Sequence, residues 1–175
     1  TLFPYTTRFR SVVRYLAAAF SEVAAMTPAA RWTVLGAGIP YEAVRSHFAP
    51  PARAAVTVLP RVSEEEVMRQ YRIHDMLVLP STYEGFGMVV LEAMSQRLPV
   101  ISTPVGCAPA LVRDGETGLH VAPRAPRELA AAIQRLLGDG ALRRRLAEAA
   151  YPLAIGHTWA RAAERTIEVY RDAIA

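Results

Sequence analysis

MLVLPSTYEGFGMVVLEAM, residues 76–94, holds an apolar run, a glycine loop and the start of a helix in direct succession. Met76-Leu77-Val78-Leu79 has no polar residue on either face, which is the pattern of a strand covered by helices on both sides. Pro80-Ser81 ends the strand, and Gly85 and Gly87 allow the backbone to approach a ligand closely. A helix is expected over residues 88–96. Its unpaired N–H groups near Met88 form a positive dipole end suited to a diphosphate. Glu84 lies in the loop before this helix, and Glu92, eight positions on, lies about one turn inside it. Helical side chains tilt towards the N-terminus, so both carboxylates can face one cavity. Glu92 sits between Leu91, Ala93 and Met94, so burial demands a hydrogen-bonding partner, and ribose hydroxyls fit that need.

Working outward, residues 12–26 place Val13, Leu16, Phe20 and Val23 on one helical face. The β-rich run Trp32-Thr33-Val34-Leu35 stops at Gly36-Ala37-Gly38, a helical stretch spans residues 41–47, and a second strand covers residues 55–59. Ser63 and Glu66 form a capping box that opens a helix running to about Tyr71. Beyond the central stretch come a strand at residues 99–102, a short helix after Gly106 and a strand at residues 119–121. Pro126 opens a helix with Leu129, Ile133, Leu136 and Leu137 on one stripe and Gly138 as its stop. A short helix over residues 142–149 follows. Residues 158–174 then carry Trp159, Ala163, Ile167, Tyr170 and Ile174 along one long face. Strands alternating with helices over short connections imply an α/β fold, a doubly wound parallel sheet whose ligands sit at the carboxyl ends of the strands.

Composition narrows the functional classes. At 175 residues, 52% of them apolar, the chain fits one domain with a substantial core. The +4 charge comes from 20 arginines against 16 acids, with no lysine, and only Arg143-Arg144-Arg145 is clustered. That triplet reads as a solvated helix face, so no nucleic-acid partner is expected. Cys107 is the single cysteine, which excludes an intrachain disulfide and a cysteine metal site and makes a cytoplasmic setting the default. Residues 1–11, TLFPYTTRFRS, read as the translation of a sequencing adapter that departs from it only at Arg8. They are expected to be non-native, leaving residues 12–175 as the domain.

As an ordered set, these motifs resemble the carboxyl-terminal domain of the retaining family 4 GT-B glycosyltransferases, which carries an E-x7-E motif in the same strand, PS, EGFG, helix context. The resemblance runs from about Val12 to the end of the chain. It includes Leu35-Gly36-Ala37-Gly38, similar to the family's LGxG loop, residues 73–81 and 98–103, similar to its strands, and Asp114-Gly115-Glu116-Thr117-Gly118-Leu119, similar to its DG-x-TG turn. It implies a Rossmann-like domain that binds a nucleotide-sugar donor, UDP- or GDP-linked, and uses no metal or other cofactor. Glu84 would contact the sugar hydroxyls, the amides of Gly85, Phe86, Gly87 and Met88 would hold sugar and diphosphate, and Glu92 would bind the ribose. Arg61 and Val62 would frame the base, with Gly36 and Gly38 forming a nearby loop of the donor site.

The chain also departs from that family. Pro60 replaces a usual glycine, Cys107 follows Gly106 where a second glycine is usual, and Ala110 after Pro109 removes a usual acid. The family's first strand, and the Arg and Lys that neutralise its leaving diphosphate, have no counterpart, and Arg8 and Arg10 are not assigned that role. The resemblance therefore implies a hexosyltransferase-type transferase in an intact parent, with an amino-terminal domain binding an unidentified glycan, lipid or small-molecule acceptor and a peripheral membrane location left open. The 175-residue chain alone is expected to be inactive. A non-catalytic nucleotide-sugar-binding module is the main alternative. A sugar-nucleotide epimerase, a phosphorylase or a dinucleotide-dependent oxidoreductase also stays open, although Tyr41 stands where the last needs a third glycine. The two glutamates have a plainer reading too, as a helix cap and a core ion pair.

Overall fold

The computed structural model describes residues 9–174, with side chains from residue 12. Residues 1–8 of the segment expected to be non-native lie outside the described residues, and α1 (Phe9–Met26) runs across its far boundary. Val13, Leu16, Phe20 and Val23 are all buried, as the periodicity requires. β1 (Trp32–Leu35), α2 (Tyr41–Arg45), α3 (Pro50–Arg53) and β2 (Val56–Leu59) follow. The pair Pro50-Pro51 suggests a break in the sequence, yet proline is well placed in a first helical turn, and α3 uses it there. α1 is anchored to this region by aromatic contact: Phe20 lies 5.0 Å from Trp32 and 6.1 Å, edge-on, from Phe48.

α4 (Glu64–Ile73) starts as expected, with Ser63 Oγ accepting from the Glu66 amide at 3.3 Å. Only half of the capping box forms. Arg69 donates to both Glu66 carboxylate oxygens at 2.6 and 2.7 Å and holds this acid at about 2, so the charge-assisted pair takes the side chain that would have reached back to Ser63. β3 (Leu77–Leu79), α5 (Met88–Ser95), β4 (Val100–Ser102), α6 (Ala108–Leu111) and β5 (Leu119–His120) complete the centre within a residue or two of expectation.

α7 (Pro126–Gly138) buries Leu129, Ile133 and Leu136, while Leu137 is only partly buried. α8 (Gly140–Ile155) starts earlier and ends later than its pattern suggests. Asp139 Oδ1 accepts from the Leu142 amide at 2.8 Å and so caps α8 directly after α7. Pro152 leaves one helical bond unmade, but Ala150 and Ala154 are buried on either side of it, and this packing carries the helix through. The arginine triplet does more than face solvent. Arg143 donates to the Leu136 and Leu137 carbonyls at the end of α7, and Arg145 donates to Gly115 O at 3.0 Å. In α9 (Trp159–Ile174) the apolar stripe exists but packs on nothing among the described residues, leaving Trp159 83% and Ile174 85% exposed.

All pairings are parallel. β1 pairs with β2, and β3-β4-β5 form a second ladder with Leu77 opposite Val100 and Ile101 opposite Leu119. Alternate residues feed two apolar clusters: Val78 and Ile101 join α1 and α7 on one face, and Leu77, Leu79 and Val100 join α5, α6 and α8 on the other. This is the doubly wound arrangement. The expected continuous sheet is instead interrupted between β1 and β3, which no backbone hydrogen bond joins among the described residues. A side-chain link joins their neighbourhoods: His74 Nδ1 donates to Gln70 O at 2.7 Å, and its Nε2 meets Thr33 Oγ1 at 2.8 Å. The described residues contain no strand ahead of α1, where a βαβ unit would supply the strand beside β1.

Candidate functional site

Strand ends create the site. β3 stops at Leu79, and the chain turns through residues 80–87 to reach α5. Gly87 is the N-cap, with φ +86°, a left-handed conformation that β-carbon-bearing residues rarely adopt. With that geometry, the amides of Gly85, Phe86, Gly87 and Met88 donate to no acceptor among the described residues. Four successive amides without a protein acceptor at a helix N-terminus are donors of the kind an anion can take.

The loop is braced from β4. Thr103 donates through Oγ1 to Ser81 O and through its amide to Leu79 O, and the Cys107 amide donates to Phe86 O at 2.6 Å. Gly106 makes that approach possible, since a β-carbon there would lie 2.5 Å from Phe86 O and 2.9 Å from Glu84 Cβ. Cys107 itself is 8% exposed. Burial is the main cause that raises the pKa of its thiol, which donates to Gly87 O at 3.5 Å.

Each carboxylate has one neutral hydroxyl partner. Ser81 Oγ donates to Glu84 Oε1 at 2.6 Å, and Tyr71 Oη donates to Glu92 Oε2 at 2.9 Å. Neither acid caps α5 or joins a salt bridge among the described residues, so the plainer reading of the pair does not describe this structure. Both side chains are half-buried, which fits the expectation for Glu92. Its partner inside the protein is a phenol that the sequence reading did not single out. Burial, then the charge and hydrogen bond of Glu92, raise the pKa of Tyr71, so it remains a neutral donor.

A separate recess of about 400 Å³ opens where β1 and β2 end. Gly36, Gly38, Tyr41, Val58, Pro60 and Arg61 line it. The Gly36 amide donates to Leu59 O at 3.0 Å and ties the two loops together. Gly36, Gly38 and Arg61 are thus brought together, whereas half-buried Val62 does not line the recess, nor do Glu84 and Glu92. Ser81, Tyr71, Thr103 and Gly106 carry no signal in the periodicity of the sequence, because their roles depend on the neighbouring strand or helix.

Known structures share this architecture. Sucrose-phosphate synthase from Thermosynechococcus elongatus superposes with a TM-score of 0.75 at 30% identity, over 93% of this chain and 42% of that one. S. aureus TarM superposes with a TM-score of 0.84 at 16% identity, over 97% of this chain and 34% of that one, a likeness of fold alone. These neighbours define the class as the Rossmann-like half of a GT-B fold. Among curated relatives, an alpha-D-kanosaminyltransferase of Streptomyces kanamyceticus is 37% identical over 121 residues, 69% of this chain and 31% of the relative. A D-inositol 3-phosphate glycosyltransferase of Nocardioides sp. is 38% identical over 120 residues, 69% of this chain and 26% of the relative. The chain therefore spans about a third or less of the curated relatives it matches. The family model for glycosyl transferases group 1 matches residues 7–152, and the chain belongs to that family.

Proposed function

We propose that this chain is the donor-binding half of a retaining family 4 glycosyltransferase. The carrying observation is the set of four free amides at the α5 N-terminus, with a hydroxyl-supported carboxylate in the loop before it and another within the helix. The diphosphate of a UDP- or GDP-sugar sits on the amides of residues 85–88, where its charge is met by fixed backbone dipoles. Glu84, held by Ser81, takes the sugar hydroxyls, and the free oxygen of Glu92 takes the ribose. The recess at Gly36, Gly38 and Arg61 lies at the carboxyl ends of neighbouring strands and receives the base, with Val62 following Arg61 in the same loop.

In the whole protein the leaving diphosphate is stabilised on the amides of residues 85–88 while an acceptor hydroxyl attacks the anomeric carbon. The reading routes no step through a metal. It assigns acceptor recognition to the part of the protein beyond the 26–31% of its relatives that this chain matches, and it places a further strand between β1 and β3. The chain alone binds donor without appreciable transfer. No described helix is long and apolar enough to cross a membrane, and the reading places the parent in the cytoplasm or at a membrane surface. Calorimetric titration with UDP and GDP, and with their glucose conjugates, tests it. Saturable binding that Glu92→Ala weakens at least about tenfold supports the assignment, and absence of binding by a folded chain overturns it.

A further inference from the structure

We infer that Tyr71 is a positioning residue for ribose recognition, acting through Glu92. The inference rests on the reading of Glu92 as the ribose ligand and adds to it a residue from a different element. Tyr71 belongs to α4, is 2% exposed, and packs in the cluster that contains Leu77, Leu91 and Met94. Its ring is buried in that cluster, and its hydroxyl donates to Glu92 Oε2 at 2.9 Å. A glutamate on a helix surface has three rotatable bonds and would otherwise sample several rotamers.

The bond divides the work of the carboxylate. Oε2 is occupied by the phenol, while Oε1 accepts no hydrogen bond among the described residues and is left for a ligand. A neutral donor also serves this purpose better than a cation. An arginine in place of Tyr71 would form a bidentate pair and engage both oxygens, whereas one hydroxyl can satisfy only one of them. The phenol therefore keeps the acid oriented and leaves its second oxygen as an acceptor for a ribose hydroxyl. Because the Tyr71 pKa is raised, this division persists across the neutral range.

The test compares ligands with and without ribose hydroxyls. Calorimetry on the 175-residue chain uses whichever of UDP and GDP binds more tightly, together with its 2′,3′-dideoxy counterpart. Tyr71→Phe removes one oxygen and keeps the ring, and thermal unfolding verifies that the variant is folded. The expected result is a loss of about five- to tenfold for the ribonucleotide, the scale of one ordinary net hydrogen bond because the effect is transmitted through Glu92, with the dideoxynucleotide unchanged within about twofold. Equal losses for both ligands would reduce Tyr71 to general packing and overturn the inference, as would no loss for either. Failure of the underlying reading has a different signature: the parent chain would bind the two ligands equally, and Glu92→Ala would change neither.

Discussion

Replacing Gly106 by alanine tests how the loop before α5 is held. The new β-carbon would stand 2.5 Å from Phe86 O and 3.0 Å from Phe86 C, and a tolerable contact needs 3.0–3.4 Å, so the loop must retreat by roughly 0.5–0.9 Å. Gly106 also has φ +61°, where an L-residue costs about 1–2 kcal/mol. Retreat stretches the bond from the Cys107 amide to Phe86 O, now 2.6 Å, which contributes about 1 kcal/mol. A total of about 2–3 kcal/mol lowers Tm by roughly 4–12 °C for a chain of this size. The same movement displaces the amides of residues 85–88, so nucleoside diphosphate binding should weaken at least about tenfold. Differential scanning fluorimetry and calorimetry read the two effects. Gly138→Ala is the control, since a β-carbon there meets nothing within 4 Å at the end of a helix, and it should hold or raise Tm. A Gly106→Ala chain with unchanged Tm and unchanged binding would refute the bracing argument.

Two further outcomes follow from local chemistry. Asp139→Ala removes the cap of α8 and should cost about 1 kcal/mol, with Asp139→Ser restoring most of it and nucleotide binding unaffected in both. His74 is held neutral, because burial lowers its pKa below 6.5. The unfolded chain takes up this proton first as the pH falls, so the stability from His74 is complete above about pH 6.5 and declines below it. Tm measured from pH 7 to about 5 should fall more steeply for the parent chain than for His74→Gln, and parallel curves would contradict the assignment. Glu66, held at about 2 by Arg69, acts only below its ordinary 4.5 and lies outside that window.

The strand, glycine loop and helix at residues 76–94 were legible because each carries a local signal: uninterrupted apolarity, paired glycines, and a run of helix formers. The placement of Glu84 in the loop and of Glu92 about one turn inside α5 followed from the sequence, and their ligand roles belong to the proposal. Tyr71 and Ser81 were not, since a hydroxyl 21 positions from its acceptor leaves no pattern in the chain, and Ser81 reads only as the end of a strand. Gly106 read only as the residue ahead of a short helix, and its close approach to Phe86 appears only once β3 and β4 are paired. α8 ran past its expected end because burial of Ala150 and Ala154 outweighs one proline. The break between β1 and β3 was equally invisible, since strand patterns show which segments are strands and not which edges meet. α9 shows the converse: its stripe was read correctly, but periodicity does not say what covers it.

On the proposed function, the α5 N-terminus and Glu92 together bind a nucleoside diphosphate. Titration of the 175-residue chain and of Glu92→Ala with UDP and GDP tests it most directly. Saturable binding of one of the two by the 175-residue chain is expected, with a loss of at least about tenfold in the variant, the order expected when a charged hydrogen-bonding group is removed. Binding that is unchanged in Glu92→Ala, or absent from a chain shown to be folded, would contradict it.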